Sequence, residues 1–511
     1  MLLRNPKRFT YLLHRWSGVV AAVFMTLWFV SGIVMLFVGY PKLYPWEHLA
    51  SLEPLEQETC CIELDTAFSA LPQTNAETND IRLVMVAGRP QYQITQGSNI
   101  HAIDAQSGTL LNPVDESLAL SSVARYLKDS KPSYGGLVQA DIWTRSGGLN
   151  PHRPLHKVHA NDSANNIVYV SSHTGEVVMM ADAWTRGWNY VGAWLHWLYM
   201  FRGPSPDPVW HWLVVILSAA ATVTTIAGTV VGIWRWRFRG RYRSGARTPY
   251  RSGAMRWHHV TGLIFCAITL TWIFSGLMSM NPFGVLSAKT PPDRSAYQGQ
   301  PLAPSSFGQS ATDLLKQTSA NDLKEIRWSI VDKHPYLIGR TASNRPITMS
   351  AIKGDGVIVH ELAHSKLIDA AQRLINFPIA SVERLEHHDS YYYARAPQAM
   401  RGARDKPLPV LRIKFSDPGA TWAHIDPRTG EIESVMEHRQ RVGRWLFELL
   451  HSWDLPLMLS AGWWRDAILI LLSLGGIALS ATGVWIGYRR IITALAHALP
   501  AKAKAKLPQH R

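Results

Sequence analysis

Four histidines stand where a histidine is costly to leave without a partner. His14 and His258 each lie about one turn inside the basic end of a long apolar stretch, and His196 and His451 each lie in an aromatic segment just ahead of another. An ionisable side chain at or inside a hydrocarbon layer is a functional hypothesis by default, and a neutral imidazole keeps one ring nitrogen free to bind a metal. For a single histidine, a hydrogen bond to a headgroup or a backbone carbonyl is the competing reading. Repetition changes the weighing. His14-Arg-Trp-Ser-Gly18, Trp28 and Ser31-Gly32 superpose without gaps, at an offset of 244, on His258-His-Val-Thr-Gly262, Trp272 and Ser275-Gly276. A second ungapped match, at an offset of 255, pairs Thr174-Gly-Glu176 with Thr429-Gly-Glu431, His196 with His451, Gly228 with Gly483, Gly232 with Gly487 and Arg235 with Arg490.

Two neutral imidazoles facing each other at one depth suit the two axial positions of a b-type haem, and Gly18 and Gly262 leave room for a flat macrocycle. His14 and His258 are the inner pair, and His196 and His451 the outer pair, which makes two haems the expectation. His259 competes with His258, but its counterpart is Arg15, which is instead a candidate for a haem propionate. His211 is the alternative outer ligand; its counterpart is Asp466, and a hydrogen bond at the membrane rim is the simpler reading. The Gly228-x-x-x-Gly232 and Gly483-x-x-x-Gly487 motifs and the two Ser-Gly pairs read as close helix packing.

Stretches at 16–40, 209–234, 258–280 and 463–488 are each long and apolar enough to cross a hydrocarbon core of about 30 Å. The first is too long for a signal peptide and is followed by no small-x-small cleavage pattern. The chain's 511 residues carry a net charge of +15, but eighteen Lys and Arg and no acid lie in three segments: 1–15, 235–256 and 488–511. The positive-inside rule places these in the cytoplasm, and the remainder, at −3, outside. What resembles a nucleic-acid signal is therefore topology. The expected division is a cytoplasmic N-terminus with the first helix (1–40), an outer domain with an interfacial helix (41–207), a second helix (208–235), a basic loop (236–256), a third helix (257–281), a second outer domain (282–462), a fourth helix (463–488) and a tail (489–511). Both halves run helix, outer domain, helix in the same orientation, implying a pseudo-two-fold axis along the membrane normal within a four-helix bundle. Alternating runs such as 81–86 predict short strands mixed with helices in the outer domains, and 291–306 reads as a linker.

Three cysteines exclude a disulfide scaffold and a CxxC zinc module; Cys60 and Cys61 are left open between a vicinal disulfide and free thiols. His152, His156 and His159 read as a surface loop rather than a metal site, and His387-His388-Asp389 with Tyr391 to Tyr393 as a mixed-exposure strand or the lining of an acceptor pocket. GxGxxG, P-loop, Gly-x-Ser-x-Gly and HExxH signals are missing, so nicotinamide binding, nucleotide hydrolysis, serine hydrolysis and zinc proteolysis lack support.

The Leu13-to-Gly18 start with its Ser-Gly end, Trp194-Leu-His-Trp-Leu198, Leu450-His-Ser-Trp453, and the turns at Ile103 to Gly108, Val170 to Glu176 and Ile425 to Glu431 resemble bacterial PepSY-associated transmembrane proteins over nearly the whole chain. The resemblance implies an inner-membrane protein with both termini cytoplasmic and two α+β PepSY-like periplasmic domains on the four-helix bundle. That group includes haem-containing ferric-siderophore reductases, which implies haem b, a periplasmic ferric siderophore or other Fe(III) chelate as acceptor, and lipid but no nucleic acid as surroundings. Some relatives carry a fused flavin reductase domain and this chain has none, so the donor is expected to be external, a quinol or a separate reductase. The alternatives are a non-redox protein whose outer domains bind a peptide or protein, and an accessory subunit of a metal or siderophore transporter.

Overall fold

The computed structural model describes residues 5–498, apart from 58–59, 112, 204–205, 252, 319–321, 401 and 403–404. Four helices are long and apolar enough to cross a membrane, and the protein is a multi-pass membrane protein. They run Pro6–Met35, Pro208–Arg235, Ala254–Ser279 and Trp463–Ala498. The first begins ten residues before its apolar run, because the Asn5 side chain accepts from the Arg8 amide and Pro6 takes the first helical position. It ends at Met35, short of the expected residue 40. Asp207 and Pro208 start the second helix in the same way, and the fourth runs past 488 into its basic end. An apolar run measures only the hydrocarbon-facing part of a helix whose ends stand in the headgroups.

The first helix packs on the second and fourth, and the third on the same two, so the first and third lie diagonally across the bundle. Ala21, Met25, Phe29, Ala221 and Ile273 fill the middle, with Trp28, Trp272 and Ile477 against them. Gly475 and Gly476 let the helices close: a Cβ on either would come within 2.2 and 2.4 Å of the Phe265 and Phe29 rings.

At the end of the bundle away from the basic segments the chain builds three sheets. One has eight strands, ordered β12-β11-β10-β9-β1-β2-β3-β4, where β1 to β4 are Thr78–Val86, Arg89–Gln96, Asn99–Asp104 and Leu110–Leu111, and β9 to β12 are Leu323–Val331, His334–Thr341, Pro346–Ser350 and Ile358–Val359. The other two are β5 to β8 (Ser133–Val138, Leu155–His159, Ile167–Ser171, Val177–Ala181) and β13 to β16 (Ile379–Leu385, Val410–Phe415, Trp422–Ile425, Ile432–Met436), each in sequential order. The two outer segments are thus joined: β1 pairs antiparallel with β9, with Arg82 opposite Arg327 and Leu83 opposite Ile326. Each strand covers the edge the other would expose, and one core runs beneath both, from Ile81, Leu83 and Ile94 to Leu323, Ile326 and Leu337.

Three local expectations fail. The 291–306 segment is more than a linker, since it holds a short helix, Arg294–Gln298, whose buried Tyr297 donates to the Gly430 carbonyl at 2.8 Å. His156 sits on the buried strand β6 rather than a surface loop, its Nε2 donating to Val114 O at 3.0 Å and its Nδ1 accepting from Tyr134 Oη at 2.9 Å. Pro154 hides that strand from a periodicity count. His387 to Tyr393 form a bend between β13 and β14 instead of a strand, with Tyr392 buried against His424. Cys60 and Cys61 are paired as a disulfide.

Candidate functional site

Diagonal placement of the first and third helices brings His14 and His258 face to face, with ring centroids 6.1 Å apart and planes 28° apart. His14 Nδ1 donates to Thr224 O at 3.1 Å, and His258 Nδ1 to Leu479 O at 3.1 Å. A carbonyl only accepts, so each ring carries its proton on Nδ1 and keeps the Nε2 lone pair. An imidazole nitrogen bonds a first-row metal at about 2 Å, and the ring centre lies about 1 Å behind it, so two imidazoles on one ion have centroids roughly 6 Å apart. The inner pair has that spacing and that tautomer.

Room for the rings comes from glycine. A Cβ on Gly228 would lie 2.5 Å from His14 Cε1, and one on Gly483 would lie 3.3 Å from His258 Cε1. Those two glycines therefore seat imidazoles and are not simply helix-packing residues, whereas Gly232 and Gly487 do pack, against Leu263 and Val19. A cavity of about 480 Å³ opens beside the pair, lined by Gly18 and Gly262 and, toward the basic end, by Tyr11, Arg15, Arg235 and Arg490. Arg15 is exposed at its rim. His259 is occupied elsewhere, with Nε2 donating to Gly232 O at 2.9 Å and Nδ1 accepting from Thr248 Oγ1 at 2.7 Å, so neither nitrogen is left for a metal.

The outer pair sits on two short helices, Ala193–His196 and Leu450–Ser452, that fold back over the bundle. Each is stopped two residues past its histidine by a left-handed residue, Leu198 and Trp453. Trp28 Nε1 donates to His196 O at 2.9 Å; on the other side, buried Asp454 accepts from Tyr393 Oη at 2.5 Å and pairs with Arg395 and Arg444 at 2.8 and 3.2 Å. The rings of His196 and His451 come to 6.0 Å, at 76° to each other. Ser31 Oγ lies 2.9 Å from His196 Nδ1, and Ser275 Oγ lies 3.0 Å from His451 Nδ1. Both hydroxyls already donate, to Leu27 O at 2.6 Å and Trp272 O at 3.0 Å, so they accept from Nδ1–H and again leave Nε2 as the metal-binding nitrogen. Burial lowers the pKa of His196 to about 3 and of His451 to about 4, which keeps both rings neutral.

The Ser-Gly pairs are therefore more than packing residues. Ser31 and Ser275 orient the outer imidazoles, whereas at Gly32 and Gly276 a Cβ would meet the same rings at an ordinary 3.8 Å, so it is the serines that carry the added role. The repeated Ser-Gly was the available signal. A second cavity, about 550 Å³, surrounds this pair and is lined by Trp28, Trp272, Arg202, Arg395 and Arg465. His211 lies on its wall, yet the histidine brought opposite His451 is His196. His387 to Tyr393 do not line it.

The profile of the PepSY-associated TM region matches residues 11–490, which takes in all four histidines and both cavities. The chain belongs to this family. No curated protein matches the chain significantly. In this PepSY-associated protein each imidazole pair takes one ring from the first outer segment or first helix and one from the second outer segment or third helix. Among the described residues, no cluster of three or more His, Cys, Asp or Glu side chains is placed to hold a bare metal ion. Each pair thus offers two Nε2 nitrogens free of protein partners and a cavity beside them.

Proposed function

We propose that this PepSY-associated protein holds two b-type haems and carries electrons across the bacterial inner membrane to reduce a ferric siderophore or other Fe(III) chelate in the periplasm. The observation that carries the reading is the duplicated geometry: two imidazole pairs at 6.1 and 6.0 Å, all four rings with Nδ1 engaged and Nε2 left over. Two axial nitrogens with no further protein ligand fit a metal whose other four positions are filled by a macrocycle. Haem iron, when bound, gains and gives up a single electron.

His14 and His258 would hold the inner haem and His196 and His451 the outer one. Arg15, Arg235 and Arg490 stand at the basic rim of the inner cavity, and Arg202, Arg395 and Arg465 in the outer, as partners for propionates. Contacts related by the two sequence offsets favour a pseudo-two-fold repeat. Thr224 and Leu479, which accept from the inner imidazoles, are 255 residues apart, and Ser31 and Ser275, which accept from the outer ones, are 244 apart. The basic segments favour a cytoplasmic inner haem and a periplasmic outer one. The donor, a quinol or a separate reductase, supplies the electron at the basic end; one electron converts Fe(III) in the chelate to Fe(II), which hard oxygen ligands hold less tightly.

An absorption spectrum of the purified protein with and without dithionite tests this. A reducible bis-histidine b-type spectrum, at two haems per chain, is expected. A colourless protein from cells grown with ample iron and haem would overturn the reading. His14→Ala and His258→Ala should each remove one haem, and His196→Ala and His451→Ala the other.

A further inference from the structure

A third cavity is distinct from both imidazole sites. It measures about 780 Å³ and lies in the outer region, where the two outer segments meet. Interfaces of this kind are preferred places for ligands, and the volume falls in the usual range for ligand pockets, about 300–1,000 Å³. Its walls differ in character. Leu43, Leu149, Val177 and Val178 of the first segment make an apolar side, while Arg340, Lys406, Asp426, Arg428 and Glu433 of the second make a charged one.

The floor is the β1–β9 seam, where Arg82 and Arg327 stand directly opposite each other and both line the cavity. Like charges opposed across an antiparallel pair are destabilising, so the arrangement calls for an anion. Glu325 supplies part of one, at 3.4 Å from Arg82 and 3.6 Å from Arg327. Arg82 is otherwise well served, by Glu176 and by Gln93 Oε1 at 2.6 Å. Arg327 is not. Its carboxylate neighbours, Asp80 and Glu325, both lie at 3.6 Å, beyond the roughly 2.7–2.9 Å of a charge-assisted hydrogen bond, and its buried Nε has no hydrogen-bond partner. Five basic and five acidic side chains line the cavity, and burial with the nearby Glu431 and Asp426 raises the Glu433 carboxyl to about 7.

We propose that this cleft binds a carboxylate-bearing organic molecule, with its carboxylate on Arg327 beside Arg82 and its apolar part against Leu43, Leu149 and Val177. Ala394 lines the cleft and Arg395 lines the outer imidazole cavity, so consecutive residues separate the two sites. Taking the ligand to be the iron chelate itself rests on the redox reading above; the binding site does not.

Gallium(III) citrate probes the carboxylate half of the cleft, because it presents carboxylates to Arg327, and Ga(III) matches Fe(III) in charge and is not reduced. Equilibrium dialysis against the full chain in detergent should show saturable binding at one equivalent. Arg327→Gln should weaken it at least about tenfold. Ser343→Trp, at an exposed lining position outside the ion-pair network, should block it without touching those charges. No saturable binding at millimolar probe, or either folded variant binding as the parent does, overturns the proposal. The haem spectrum of the same samples reports separately: haem without binding sinks the cleft alone, and binding without haem supports the cleft while sinking the redox reading.

Discussion

Gly228 and His14 share a space that holds one side chain: a Cβ on residue 228 would come 2.5 Å from His14 Cε1 and 2.8 Å from its Nδ1. The ring cannot yield without losing its hydrogen bond to Thr224 O. On the proposed two-haem reading, Gly228→Ala should lower haem content from two per chain to about one, measured as pyridine haemochrome. Gly483→Ala, whose Cβ would meet His258 at 3.3 Å and Ala22 at 3.1 Å, should lose less.

Ser31 and Ser275 accept from the Nδ1–H of the outer imidazoles, which makes those rings stronger donors to a ferric ion. On the same proposed reading, Ser31→Ala and Ser275→Ala should keep the haem and raise the midpoint potential of the outer one. A hydrogen bond worth about 0.5–1.5 kcal/mol, felt mainly by the ferric form, corresponds to roughly 20–65 mV for one electron. Redox titration followed at the haem bands measures it. The inner potential should not move.

The proposed ligation predicts that His259→Ala leaves the haem content unchanged, because both ring nitrogens of His259 are already bonded, to Gly232 O and Thr248 Oγ1. His211→Ala should do the same, since His196 is the ring that faces His451. Loss of a haem in either variant, counted against protein, would reassign a ligand.

Glu433 makes stability pH-dependent outside the membrane. Its carboxyl is raised from 4.5 to about 7 in the folded protein, by burial and by Glu431 and Asp426. The folded state therefore holds a proton there that the unfolded chain releases earlier, and stability falls as pH rises between those two values, by about 3 kcal/mol at most. Thermal unfolding followed between pH 5 and pH 8 should show a shallower loss in Glu433→Gln than in the parent.

Much of the bundle is legible from the chain alone, because apolar length and basic flanks act locally, and because the four histidines recur at fixed offsets. The partners of those histidines are harder to see. Ser31 and Ser275 look like small helix-packing residues until short helices 165 and 176 residues further on fold back and set an imidazole beside each. The choice between His196 and His211 is hidden for the same reason: both line the outer cavity, and the contacts that set His196 opposite His451, with Trp28 and Ser31, come from a distant helix. The β1–β9 seam leaves no mark in either strand's alternation, which records a buried face but not the identity of a neighbour.

That seam has a mechanical meaning. Slipping β9 by one residue against β1 would turn Ile326 out of the shared core and Arg327 into it, a penalty large enough to forbid intermediate settings. The eight-stranded sheet is therefore set in a single register, and it fastens the two outer segments to each other through a continuous core rather than a surface contact.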